Sequence, residues 1–306
     1  MISTAAEAAT ERRERPGGLK RAEARFGLAL VALPLAAFAA VILYPFVNSM
    51  RLAFYRYTLM TPAPIFDGLA NFTRMFEDGE IVPIWLNTVV FVVASTVATF
   101  VLGLAWAIIL NQPFKGRAVV RSASLLPWVL PSTVTAFVWA WILNAQYGVL
   151  NAALLTIGAI DEPVAWLATP EGAMGGVVLA KTWLSVPLFA AFFLAGLQSL
   201  PLEQVEAARI DGATNGQVIR HVVLPHLRAT SIVILVLGAM GNLQQFDVIY
   251  AMTGGGPVRA TTVLSIEVYR DAFQDWNLGV ACAVGVVWFL TIAIPASYYL
   301  RTIARD

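Results

Sequence analysis

Side chains able to do chemistry are few and scattered in this chain. Its two histidines, His221 and His226, stand five positions apart, and no carboxylate is spaced to complete a metal site with them. Cys282 is the single cysteine, so neither an intrachain disulfide nor a cysteine-based metal centre is available. No Ser–base pairing, HExxH pattern or Gly-Lys-Ser/Thr phosphate loop occurs, and the run Thr253-Gly254-Gly255-Gly256-Pro257 reads as a tight turn. No residue is therefore assigned to catalysis or to a metal. Two polar groups remain. One is the stretch Glu206 to Pro225, EAARIDGATNGQVIRHVVLP, set between long apolar runs; the other is the cluster Asn242, Gln244, Gln245 and Asp247 within such a run.

The elements that must position them are membrane helices. The 306-residue chain is 58% hydrophobic and 13% charged, against about 45–50% and about 25% in soluble domains. A net charge of +1 gives no basic footprint for nucleic acid. Runs long enough to cross a bilayer lie near 26–49, 84–110, 119–143, 175–198, 230–251 and 278–301. These predict an all-α integral membrane protein of six transmembrane helices, residues 26–301, between polar tails at 1–25 and 302–306. The first tail, rich in both Arg and Glu, reads as solvated and mostly disordered. Pro127, Pro131 and Pro187 fall inside spans, where neighbouring helices can satisfy the freed carbonyls. Fourteen of the twenty Lys/Arg fall before the first span, in the second-to-third loop, in the 199–229 loop or at the C-terminal end from Arg301. The opposite loops carry Asp67, Glu77, Asp78, Glu80, Asp161, Glu162 and Glu171. Basic residues mark the cytoplasmic side, so both termini and the 199–229 loop are expected there.

Within that loop, Pro201 stands where a helix can begin, with Glu203 and Glu206 in its first turns as the helix dipole favours. Asp211-Gly212 reads as a stop, since glycine tolerates the left-handed conformation that ends helices. Thr214 and Gln217 have the spacing of a capping box and open a second helix. Val218, Ile219, Val222 and Val223 give it an apolar stripe while Arg220 and His221 point elsewhere, and Pro225 is expected to end it. Two short helices with a corner at Gly212 result.

The order Glu206-Ala207-Ala208, two residues, Asp211-Gly212-Ala213, then Leu224-Pro225 resembles the cytoplasmic loop of ATP-driven (ABC) importer permeases. There it is a coupling helix between spans four and five that docks into a cleft of the ATP-binding subunit. Val218 and Ile219 stand where an aromatic is common, and Ala229 where a second proline often follows. Tyr44-Pro45, Gly68-Leu69-Ala70-Asn71-Phe72, Asn87-Thr88, Leu102-Gly103-Leu104, Leu126-Pro127 and the Gly254–Pro257 run resemble the first permease subunit of carbohydrate importers, such as those for maltose, trehalose and glycerol-3-phosphate. The resemblance implies a multi-pass protein of the bacterial cytoplasmic (inner) membrane that performs no bond chemistry. It also implies a second homologous permease, two ATP-binding subunits that hold the ATP and Mg, and an external solute-binding protein.

In the fifth span, at 1.5 Å per residue, Asn242 would lie about 18 Å and Asp247 about 26 Å from the inner side. On a continuous helix Asn242, Gln245, Phe246 and Ile249 share one face, and Asp247 a neighbouring one with Leu243 and Tyr250. Amides beside an aromatic ring can hydrogen-bond hydroxyls and pack on a sugar ring. Asn242, Gln245, Phe246, Asp247 and Tyr250 are therefore the substrate-pathway candidates. Interhelical hydrogen bonding is the competing role, and Trp139 and Trp141 are weaker candidates. An ion-coupled secondary carrier is the main rival function, disfavoured because charged residues deep within the spans are few, with Lys181 near the outer start of the fourth and Asp247 near the outer end of the fifth. A permease for a non-carbohydrate solute is the other.

Overall fold

The computed structural model describes residues 17–303; residues 1–16 and 304–306, and with them most of the two expected tails, lie outside the described residues. The chain divides into two compact units, Met1–Leu52 and Ala53–Asp306. In the first, α1 (Gly17–Phe38) passes through a π turn at Ala39–Leu43 into α2 (Tyr44–Leu52). The helix thus begins inside the stretch 1–25 expected to be irregular. Leu19 to Arg25 contains Lys, Arg, Ala and Glu but no breaker, so helix propensity is high there.

The second unit opens with a minimal antiparallel pair, β1 (Tyr55–Arg56) on β2 (Ile65–Phe66), the one departure from an all-α composition among the described residues. Next come α3 (Ala70–Glu77) and the long α4 (Ile81–Asn111). Buried Asn71 fixes α3 by donating from Nδ2 to the carbonyls of Ala53 and Tyr55, both at 2.9 Å. Then follow α5 (Arg117–Ala123), α6 (Leu126–Val129), α7 (Ser132–Ile142), α8 (Val149–Thr156) and α9 (Pro170–Gln198). The polar loop supplies α10 (Leu202–Ile210), α11 (Asn215–Val218) and α12 (Leu224–His226), the last two joined by a π turn at Ile219–Val223. The chain closes with α13 (Arg228–Leu243), α14 (Asp247–Thr253), α15 (Leu264–Phe273) and α16 (Leu278–Ile303).

The centre of the second unit is α4 packed along α9. On α4 the buried positions Thr88, Phe91, Val92, Ser95, Thr96, Thr99, Gly103 and Ala107 recur every three or four residues, one helical stripe. Two glycines admit the ring of Phe189 between helices. A Cβ on Gly103 of α4 would lie 2.7 Å from the Phe189 Cβ, and one on Gly238 of α13 would lie 2.4 Å from its Cζ. Small residues at such crossings let membrane helices approach closely.

Three helices, Phe26–Leu52, Ile81–Asn111 and Pro170–Gln198, are long and apolar enough to cross a membrane unbroken. Two further candidates are bent pairs: Arg117–Val129 with Ser132–Ile142 at 95°, and Asn215–His226 with Arg228–Leu243 at 70°. The third expected span is thus sharply broken. Pro131 has no N–H, and Leu130 before it is held extended at φ −70°, ψ 141°. The fifth, read as one helix over 230–251, also breaks: α13 ends at Leu243, and residues 244–246 unwind before α14. Partners from distant elements take the freed carbonyls. Trp288 Nε1 on α16 donates to Leu243 O at 3.0 Å, and Ser265 Oγ on α15 donates to Gln245 O at 2.7 Å. These bonds satisfy groups that would be costly to leave unpaired within a membrane.

Candidate functional site

The two breaks meet. Ser132, first residue of α7, donates from Oγ to Asp247 Oδ2, first residue of α14, at 2.7 Å. An acidic residue in the first turn suits the helix dipole. Beside this junction, α4, α6, α7, α9 and α13 line an open cavity of about 340 Å³, within the range of small-ligand pockets, about 300–1,000 Å³. Trp128, Phe189 and Phe192 give its wall aromatic surface; Thr99, Ser132, Ser185, Lys181 and Asn242 make it polar.

Of the five residues picked from the fifth span, Asn242 alone lines this cavity. It is buried, and its Nδ2 donates to Thr96 Oγ1 at 2.9 Å, so it also serves as an interhelical tie. The break at 244–246 dissolves the expected shared face of Asn242, Gln245, Phe246 and Ile249. Gln245 is buried, and its carbonyl accepts from Ser265. Phe246 and Tyr250 stack on each other at 5.0 Å and meet Tyr269 at 5.1 and 5.0 Å, with Phe273 a further 5.3 Å beyond Tyr269. This aromatic row joins α14 to α15. Trp139 packs against Trp183 at 6.1 Å, while Trp141 is exposed. Sequence reasoning passed over Trp128, Ser185 and Phe192 as lining residues. Lys181 was visible there only as an isolated charge, since neither its cavity nor its neighbours can be read from one helix.

The polar loop has the two-helix form expected. Pro201 caps α10, and its end is a Schellman motif: Ala213 N donates to Ala208 O and Gly212 N to Arg209 O, each at 3.0 Å, with Gly212 at φ +84°. The capping box is complete, with Thr214 N donating to Gln217 Oε1 at 2.7 Å and Gln217 N to Thr214 Oγ1 at 3.4 Å. Pro225 does not end the second helix, which runs on to His226. Among the described residues, the two π turns each end two residues before a proline, Pro45 and Pro225. The wider turn accommodates a ring that lacks an N–H and would collide with the carbonyl four residues back. Val205, Ala208, Ala213, Val218 and Val223 face inward onto Phe193, Leu197 and Leu227. Glu206, Ala207, Asp211, Gly212 and Pro225 are exposed. So are the apolar side chains of Leu224 (40%), Leu202 (75%) and Ile210 (86%). Leu202 and Ile210 had gone unremarked in the sequence; apolar side chains inside an otherwise polar stretch were the available signal.

Residues 99–302 match the sequence profile described as the binding-protein-dependent transport system inner membrane component. The chain belongs to this family. It is a multi-pass inner-membrane permease subunit of a binding-protein-dependent ABC importer and is not itself an enzyme. It is 35% identical to the trehalose/maltose transport system permease protein MalF of Thermococcus litoralis, over 92% of this chain and 95% of that one. It is 32% identical to the sulfoquinovosyl glycerol transport system permease protein SmoG of Agrobacterium fabrum, over 90% of each. Among solved structures, a bacterial ABC transporter involved in import of the acidic polysaccharide alginate shares the fold, with a TM-score of 0.77 at 24% identity, covering 92% of this chain and 98% of that one.

At the far end of α4 from the polar loop, the permease holds a partly buried charged cluster. Arg259 pairs with Glu80 and with Glu267 of α15. Glu267 and Asp271 are 7% and 8% exposed, and each keeps one carboxylate oxygen unpartnered. Burial first, then the charges of Glu267 and Asp275, push the Asp271 carboxyl up to about 7 against the pull of Arg259 and Arg270.

Proposed function

We propose that this permease forms, with a second homologous permease, the membrane pathway for a sugar or sugar-like solute delivered by an external binding protein. Two ATP-binding subunits holding ATP and Mg drive it through the 199–229 loop. The names of the trehalose/maltose and sulfoquinovosyl glycerol relatives support the solute class, as does a cavity that sets aromatic rings beside hydroxyl and amide groups. Six spans with both termini cytoplasmic are the proposed topology: three unbroken helices, the bent pair Arg117–Val129 with Ser132–Ile142, α13 with α14 across the break at 244–246, and α16, whose 26 residues extend about 39 Å at 1.5 Å each. Asn242 is the proposed solute contact in the cavity. Phe246 and Tyr250 are proposed to act in the aromatic row, and Gln245 and Asp247 to hold the break open between them.

The observation that carries coupling is the shape of the loop. One face is anchored in the core, and the other presents Glu206 with exposed Leu202 and Ile210 around a fixed corner at Gly212. A surface that sets exposed apolar side chains beside charged ones is suited to a preformed cleft, where the charges fix register. The test is reconstitution of the permease pair, ATP-binding subunits and binding protein in proteoliposomes. Uptake should require ATP and the binding protein and persist with a proton uncoupler. Accumulation by this chain alone on an ion gradient would overturn the proposal.

A further inference from the structure

We infer that Lys181 makes this pathway selective for a solute carrying an anionic group, so that the cargo is an acidic sugar rather than a neutral one. This rests on the sugar-importer reading above. Lys181 lies eleven residues into α9, about 16 Å from its start at 1.5 Å per residue. A lysine within a bilayer costs about 2.5–3.5 kcal/mol by insertion scales and is ordinarily paired.

Lys181 has no carboxylate within ion-pairing distance among the described residues. Asp247 reaches it only through its field, while the Oδ2 of that carboxylate accepts from Ser132. Asp247 does not line the cavity, and no other acidic residue does, so the cavity wall carries a single cation and no anion. A neutral sugar would bring no counter-charge into the cavity. A carboxylate, sulfonate or phosphate on the solute would match it, with a charge-assisted hydrogen bond stronger than one between neutral groups.

The rest of the wall fits the other end of such a molecule. Ser185 lies one turn beyond Lys181 on the same helix, and Ser132 and Asn242 face the same space. Thr99, 1% exposed, lines the cavity with a hydroxyl that has no hydrogen-bond partner. Trp128 and Phe192 offer apolar surface to a ring.

The test uses the complete importer with its binding protein in proteoliposomes. It measures ATP-driven uptake of a labelled neutral glycoside, its uronate and its 6-sulfonate in wild type, Lys181→Gln and Lys181→Arg. The readout is the ratio of acidic to neutral uptake within each preparation, which cancels differences in yield. Wild type should favour at least one acidic form by about tenfold, the scale of one hydrogen bond to a charged group. Lys181→Gln should bring that ratio near one, and Lys181→Arg should keep most of it. A preference for the uronate identifies a carboxylate as the partner, and one for the sulfonate identifies a sulfonate. Equal or better neutral uptake in wild type, or a preference unchanged in Lys181→Gln, would overturn the inference and leave the sugar-importer reading standing. ATP-dependent uptake of none of the three would overturn both.

Discussion

At the scale of the residue, Asp271 is the group whose chemistry is furthest from ordinary. It is buried on α15, outside the spans, with one oxygen unpartnered and its carboxyl raised from 3.8 to about 7. The folded protein therefore holds this proton more tightly than the unfolded chain does. The stability that goes with it is fully present below about pH 4 and is lost as pH climbs toward 7, by up to about 4 kcal/mol. Asp271→Asn replaces the carboxyl with a group that cannot ionise. Thermal unfolding of the detergent-solubilised permease should show the variant gaining on the parent between pH 5 and pH 8, with a flatter pH profile. A constant difference over that range would mean that Asp271 does not titrate there. Arg259 is a different kind of residue, since its two carboxylate partners join the start of α4 to α15. Its loss would leave Glu267 buried without an ion pair.

At the scale of the element, the polar loop gives the sharpest expectation. A Cβ on Gly212 would meet nothing within 4 Å, so any cost of substitution comes from the backbone at φ +84°. That conformation disfavours an L side chain by about 1–2 kcal/mol. Gly212→Val should reset the angle between α10 and α11, and Glu206→Lys should invert one of the charges on the face proposed to meet the ATP-binding subunit. Both should leave membrane insertion intact, lower co-purification of that subunit and abolish uptake; full ATP-driven uptake in both would make the loop a surface helix only. This element was legible in the sequence because its rules are local. A capping box, a glycine stop and an apolar stripe act over a few residues, and all three are present. The broken spans were not legible to the same depth. Pro131 marks the first break, but the gap after Leu243 has no breaker in its own sequence. It is held open by Trp288 and Ser265, residues far along the chain. The pathway candidates failed to share a face for that reason: the period of 3.6 assumed a helix that tertiary partners had unwound. The cavity gathers Thr99, Lys181 and Asn242 from three helices, a juxtaposition that no single-helix pattern contains.

At the scale of the whole molecule, the distribution of charge and the placement of helices make a joint demand. Arg117 and Arg121 follow α4, and Arg209, Arg220 and Arg228 occupy the loop after α9, so the ends of the two central helices that carry bases coincide. Arg121 is also built into the fold there, donating from Nε and Nη2 to Leu110 O at 3.2 and 2.8 Å and closing the last turn of α4. At the opposite end, α3 and α15 are short helices outside the proposed spans, and the cluster of Arg259, Glu267 and Asp271 lies beside them. Basic residues are retained on the cytoplasmic side during insertion, so the end with Arg121 and the coupling loop should face the ATP-binding subunits. Reporter fusions after Lys115 and Gly216 should then report inside, and fusions after Asn71, Gly158 and Arg259 outside. The Gly158 and Gly216 fusions bracket α9 and bear hardest on the mechanism. Both on one side would make α9 re-entrant, despite its 29 largely apolar residues. Gly216 outside would place the loop where no ATP-binding subunit can reach it, and coupling through Glu206 and Gly212 would be ruled out whatever the solute.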